Sequence, residues 1–130
     1  MDNIQVPVSA GEVLDKITIL EIKSERITEP AKLENVRREL ALLREFWVRA
    51  VHEDDTVKTL HTQLKEINEA LWEIEDDIRD KEREGEFDER FIELARSVYF
   101  TNDRRSKIKR ELNEYLGSKI VEEKSYQDYS

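Results

Sequence analysis

Thr101, Asn102, Asp103, Arg104 and Arg105 are five consecutive polar residues in a segment of otherwise helical periodicity. Thr101 and Arg105 stand where the repeat reserves space for apolar side chains. Asn68 falls opposite them when that segment folds back on the one before it. A buried amide or guanidinium left unpaired costs roughly 1–3 kcal/mol or more, so these groups are expected to bond to one another, to a ligand or to a partner chain. Two chemistries fit. As a structural device the cluster fixes the register of two helices, as one polar residue does in a coiled coil. As a site, Arg105, Asn102 and Asn68 would grip an anionic ligand in the core of a bundle. The register reading is the ordinary use of such groups, and under it replacing Arg105 with leucine is expected to raise the melting temperature. Asp15 and Lys16 join the candidates because they face away from the main apolar stripe of the first helix. If that helix is buried on two sides, both need partners.

The other charged groupings have plainer readings. Glu73 to Glu86 holds eight acids against three bases. Paired acids on successive turns can hold Mg²⁺, as in all-helical nucleotide pyrophosphatases, but that needs two acid pairs from different helices. The next helix offers only Glu89 and Glu93 nearby, so the expectation is a solvated face with ion pairs such as Glu75 to Arg79 and Asp77 to Lys81. Arg104, Arg105, Lys107, Lys109 and Arg110 put five bases in seven residues, a wet face or a docking surface for an acidic segment. A wet face is the ordinary reading; the acidic run lies too far away to meet these bases within one chain, whereas that of a second copy could, which makes dimerisation testable by molecular mass at low salt. His52 and His61, one in a loop and one on the wet side of the third helix, lack spaced partner ligands. No Gly-rich phosphate loop, nucleophile elbow or HExxH pattern occurs. With no cysteine, thiolate and disulfide chemistry are closed. Neither metal nor cofactor is expected.

Four amphipathic helices must position these residues. Ser9 and Glu12 form a capping box, flanked by a Val8 to Val13 staple, that starts the first helix at Ala10. Val13, Ile17, Leu20 and Ile27 line one face and Leu14, Ile19 and Ile22 a second, so this helix should be the most buried. Pro30 is acceptable only in the first turn of a new helix, whose seam is Leu33, Val36, Leu40, Leu43, Trp47 and Ala50. It should end near Val51. Asp54 or Asp55 caps the third helix, which holds Val57, Leu60, Leu64, Ile67, Leu71, Ile74 and Ile78 in heptad spacing up to the stop at Gly85. Asp88 caps the fourth, with Phe87 and Ile92 as a staple, and Gly117 ends it. Residues 1 to 8 alternate apolar and polar around Pro7 and are expected to lie extended on the bundle. The fold expected is all-α: a four-helix antiparallel bundle whose last two helices form a long coiled-coil-like hairpin. Residues 1–117 are the helical domain and 118–130 a polar tail, placed against the bundle, against a second copy, or in solvent. The long pair should project beyond the shorter first two helices.

Composition narrows the class. With 38% hydrophobic and 41% charged residues the core must be thin, which suits long helices better than a sheet. A net charge of −9 repels phosphate backbones and anionic membranes, so nucleic acid and membrane partners are not expected. The start, MDNIQVPVSAGE, lacks the basic region and apolar run of a signal peptide, and a cytoplasmic location is expected.

The segments VPVSAGEVLDKITILEIKSERI, NVRRELALL, FIELARSVYFTNDRRSKIKRELN and GSKIVEEKSY resemble a family of uncharacterised bacterial proteins, the domain of unknown function 6165. The resemblance covers nearly the whole chain. It implies a cytoplasmic bacterial protein with no catalytic residues to carry over, and places Thr101 to Arg105 and the tail within the family pattern. The expected function is a non-enzymatic module that binds another protein or itself, since long seams and charged faces serve helix-to-helix contact. The alternative is a small all-helical enzyme or binding protein for an anionic metabolite, similar to chorismate mutase in its long first helix ending at Arg26.

Overall fold

The structure, a computed structural model, describes residues 1–129. Four helices follow one another: α1 Ala10–Arg26, α2 Pro30–Ala50, α3 Asp55–Glu84 and α4 Glu89–Leu116. Among the described residues there is no strand. Three of the four starts are capped by a side chain, and α2 starts with Pro30 in its first turn. The Ser9 hydroxyl accepts from the Glu12 amide, Asp54 from the Val57 amide and Asp88 from the Phe91 amide, satisfying donors that a helix leaves open. Gly85 and Gly117 end α3 and α4 with φ of 68° and 67°, where a side chain is disfavoured.

The helices are arranged around α1. It packs against α2, α3 and α4, whereas α2 packs against α1 alone and α3 and α4 pair along their length. That explains why α1 is buried on more than one side, with Leu14, Ile17, Leu20 and Ile22 in the core. Leu40 and Trp47 of α2, Val57, Leu60 and Leu64 of α3 and Leu112 of α4 complete one apolar cluster with it. Each such side chain contributes about 1.5–3 kcal/mol through burial.

At about 1.5 Å per residue α3 is roughly 45 Å long and α1 roughly 26 Å. The guanidinium of Arg26, at the last turn of α1, meets Glu73. Beyond that point the α3–α4 pair runs on without a third helix, and Ile74, Ile78 and Phe91 are only half-buried. Phe87 and Ile92 are exposed at the tip.

Five expectations change. Residues 1–8 are all exposed, Ile4, Val6 and Val8 included, because three small apolar side chains give little burial against the entropy of ordering the segment. The Glu12 carboxylate turns to Lys109 rather than back to its own cap. Phe87 meets the ring of Phe91, edge to face with centroids 5.2 Å apart, and leaves Ile92 in solvent. His61 is not on a wet face. It is half-buried, with Nε2 2.9 Å from Glu21 of α1 and Nδ1 2.9 Å from Glu53. The basic run is met within the chain: residues 118–129 fold back along α4, where Glu122 reaches Lys109 and Glu123 reaches Arg110.

Candidate functional site

Where α1 crosses the α3–α4 pair, a polar cluster interrupts the core. On α1, Gly11, Asp15 and Thr18 lie on one face at helical spacing. On α4, Thr101, Arg105, Lys109 and Asn113 form a ladder in steps of four, and all but Arg105 are buried. Asn68 stands on α3 one turn after the buried Leu64.

Asp15 is the centre. Its side chain is 3% exposed, a placement that an ionised carboxylate tolerates only with partners. Arg105 supplies two, its Nε 2.8 Å from Oδ1 and its Nη2 on Oδ2. This two-point match of guanidinium to carboxylate is the strong form of an ion pair. Asn68 Nδ2 donates to Asp15 Oδ1 and to Thr18 Oγ1, each at 2.9 Å, and the Thr18 hydroxyl donates to the Asp15 carbonyl. Arg105 Nη1 reaches Asn102 Oδ1 at 3.3 Å. The hydrogen bond from Asp15 raises the guanidinium of Arg105 above its usual value, against the opposing pull of burial.

Lys109 extends the cluster. Its ammonium lies 2.8 Å from Glu12, 3.0 Å from Glu122 and 4.0 Å from Asp15. Burial pushes it down, but the acids outweigh burial and leave it raised. One turn on, Asn113 Oδ1 accepts from the Gly11 amide at 2.7 Å and so caps α1 from a different helix. A Cβ on Gly11 would lie 2.7 Å from the Lys109 carbonyl oxygen, so α1 comes this close to α4 only with glycine there.

The structure therefore joins Asp15, Asn68, Asn102 and Arg105. It does not bring in the rest. Thr101 is buried and accepts from Arg104 Nη2 at 3.4 Å, a contact separate from the Asp15 pair. Asp103 faces the tail, where it meets Tyr129 and Lys124. Lys16 is exposed and pairs with Glu39 of α2 at 2.9 Å. Glu12, Thr18, Lys109, Asn113 and Gly11 were missed by sequence reasoning, although the four-residue ladder from Thr101 to Asn113 was there to be read.

Beside the cluster is an open cleft of about 370 Å³ lined by Ile19, Asn68, Leu71, Trp72, Glu75, Asp76, Asn102 and Arg105. Its chemistry does not suit an anion. Asp15 and Asn102 already engage the Arg105 guanidinium, and Glu75 and Asp76 place negative charge in the lining. The expectation that Arg105→Leu raises stability also changes, since it would leave Asp15 buried without its counter-ion.

Over residues 4–129 the chain matches a sequence family described as a family of unknown function. No curated protein and no solved structure matches it. Among the described residues no helix is long and apolar enough to cross a membrane.

Proposed function

The chain belongs to that family of unknown function, DUF6165, and from its geometry we propose a non-enzymatic interaction module whose contact element is the free end of the α3–α4 hairpin. The observation that carries this is the length mismatch. α1 fills the groove between α3 and α4 as far as Glu73, and the same groove then continues uncovered past Ile74, Ile78 and Phe91. A partner helix laid in line with α1 would bury these side chains together with Phe87 and Ile92, in the manner of an amphipathic helix entering an apolar groove.

Charge disfavours a second copy's tip as the occupant. Residues 73–93 carry eleven acids and four bases, so two tips side by side would repel. A partner helix with basic flanks fits. The polar cluster supports the same reading, because a buried pair neutralised from within serves register rather than capture.

The test is the behaviour of the protein in a gently prepared extract of its native cells. On size exclusion the unaltered chain should elute well above its own 15.5 kDa, and Phe87→Ser/Ile92→Ser should elute as the free chain. Both side chains are exposed, so the fold tolerates the change. Equal elution of the two proteins would remove the tip from the interaction.

A further inference from the structure

The tail is held in an unusual way. Past Ser118 no backbone hydrogen bond ties it to the helices among the described residues. Side-chain contacts fasten it at three places along α4. Glu122 and Glu123 meet Lys109 and Arg110 at 3.0 and 2.7 Å. Lys124 approaches Asp103 at 3.8 Å. Tyr129 then packs on Tyr99 and Phe100, with centroids 5.1 and 5.0 Å away, and donates its hydroxyl to Asp103. The aromatic pair and the bases belong to a regular helix, so the surface exists whether or not the tail covers it.

The tail is also an incomplete match for that surface. Lys107 and Arg104 stay exposed beside the strap, and Lys107 makes no ion pair among the described residues. The tail also brings a base, Lys119, that meets no acid of α4 in an ion pair among the described residues, whereas Lys124 is matched by Asp103. Tyr99 and Phe100 remain 42% and 41% exposed with the tail in place. A second copy's tail would offer the same side chains without the advantage of being tethered. A more acidic segment would do better.

We infer that the face of α4 from Tyr99 and Phe100 to Lys109 and Arg110 is an interaction surface for an acidic, tyrosine-bearing extended segment of another protein, with residues 118–129 as its built-in competitor. This surface is distinct from the hairpin tip, and either can fail without the other.

The probe is a fluorescent peptide with the sequence of residues 118–129 in which Lys119 is replaced by glutamate and Lys124, which faces Asp103, is kept. Fluorescence anisotropy against the full chain carrying Glu123→Lys/Tyr129→Ala, which loosens the tail at exposed positions, should give saturable binding at least tenfold tighter than to the unaltered chain. Adding Lys107→Glu/Arg110→Glu should return binding to the weak level while the helical circular dichroism stays unchanged. The peptide with its original Lys119 should bind more weakly than the acidic one. Absence of saturable binding to the loosened chain, or binding that survives Lys107→Glu/Arg110→Glu, would overturn the inference. So would a doubled mass of the loosened chain on light scattering, which would assign the surface to a second copy.

Discussion

Removing Arg105 while leaving Asp15 in place isolates the energetic logic of the cluster. Asp15 would keep Asn68 at 2.9 Å and the Lys109 ammonium at 4.0 Å, but would lose the two guanidinium contacts that neutralise it. Breaking a buried ion pair on one side costs roughly 3–5 kcal/mol, and the proximity of Lys109 argues for the lower end, about 3 kcal/mol. In a domain of this size that corresponds to a fall in melting temperature of roughly 10 °C. Replacing both partners by apolar groups of similar volume, Asp15→Leu/Arg105→Met, removes the desolvation penalty with the attraction. Such swaps are neutral or stabilising by about 1–4 kcal/mol, here reduced because Asn68 and Thr18 lose an acceptor. Urea denaturation followed at 222 nm on Arg105→Met, Asp15→Leu and the double variant closes the cycle. The expected pattern is two costly single changes and a double change milder than either. A cost below about 1 kcal/mol for Arg105→Met, or additive single effects, would show that the pair is not what satisfies Asp15.

Gly11→Ala should destabilise by about 1–3 kcal/mol despite the better helix propensity of alanine, because its Cβ meets the Lys109 carbonyl at 2.7 Å; thermal melts check this. The His61 imidazole is raised above its usual value by its hydrogen bond to Glu21, with Glu53 adding to it. Its contribution is therefore fully present below about pH 6.5 and is lost as pH rises through the raised folded value. His61→Gln should accordingly cost stability at pH 6 and much less at pH 9, and an equal cost at both would refute the linkage. Asp54→Ala should lower stability through loss of the cap on Val57, with some further loss from the Tyr115 hydroxyl that shares the carboxylate. Denaturant midpoints measure it.

Local signals made the helices legible. Ser9, Asp54 and Asp88 are short polar side chains that satisfy orphan amides, and Gly85 and Gly117 accept the left-handed backbone, so α1, α3 and α4 begin, and α3 and α4 end, within a residue or so of where these residues place them. The packing partners were less legible, because they are set by the third dimension. The heptad of α3 reads as one unbroken seam, yet its buried face passes from Leu64 to Asn68 while Ile67 is only half-buried, because α3 faces two neighbours. Asp15 and Arg105 stand 90 residues apart, and nothing local announces that one neutralises the other. Arg105 could be picked out since it breaks an apolar pattern, and Asn68 because it falls opposite when α4 folds back on α3. Lys109 was passed over because it reads as one base in a basic run, although it stands four residues from Arg105 on the same face of the helix. A place against the bundle was one of three open to the tail, but its pairing with the basic run was not legible, because its acids are few and only the turn at Gly117 brings them over Lys109 and Arg110.

The central claim, that the uncovered end of the hairpin is a contact element, is tested most directly by a photo-crosslinking amino acid at position 78 in native cells, with Thr59, exposed on the same helix, as the control position. One discrete cross-linked protein is expected from position 78 and none from position 59. Equal cross-linking from both positions, or none from 78, would contradict it.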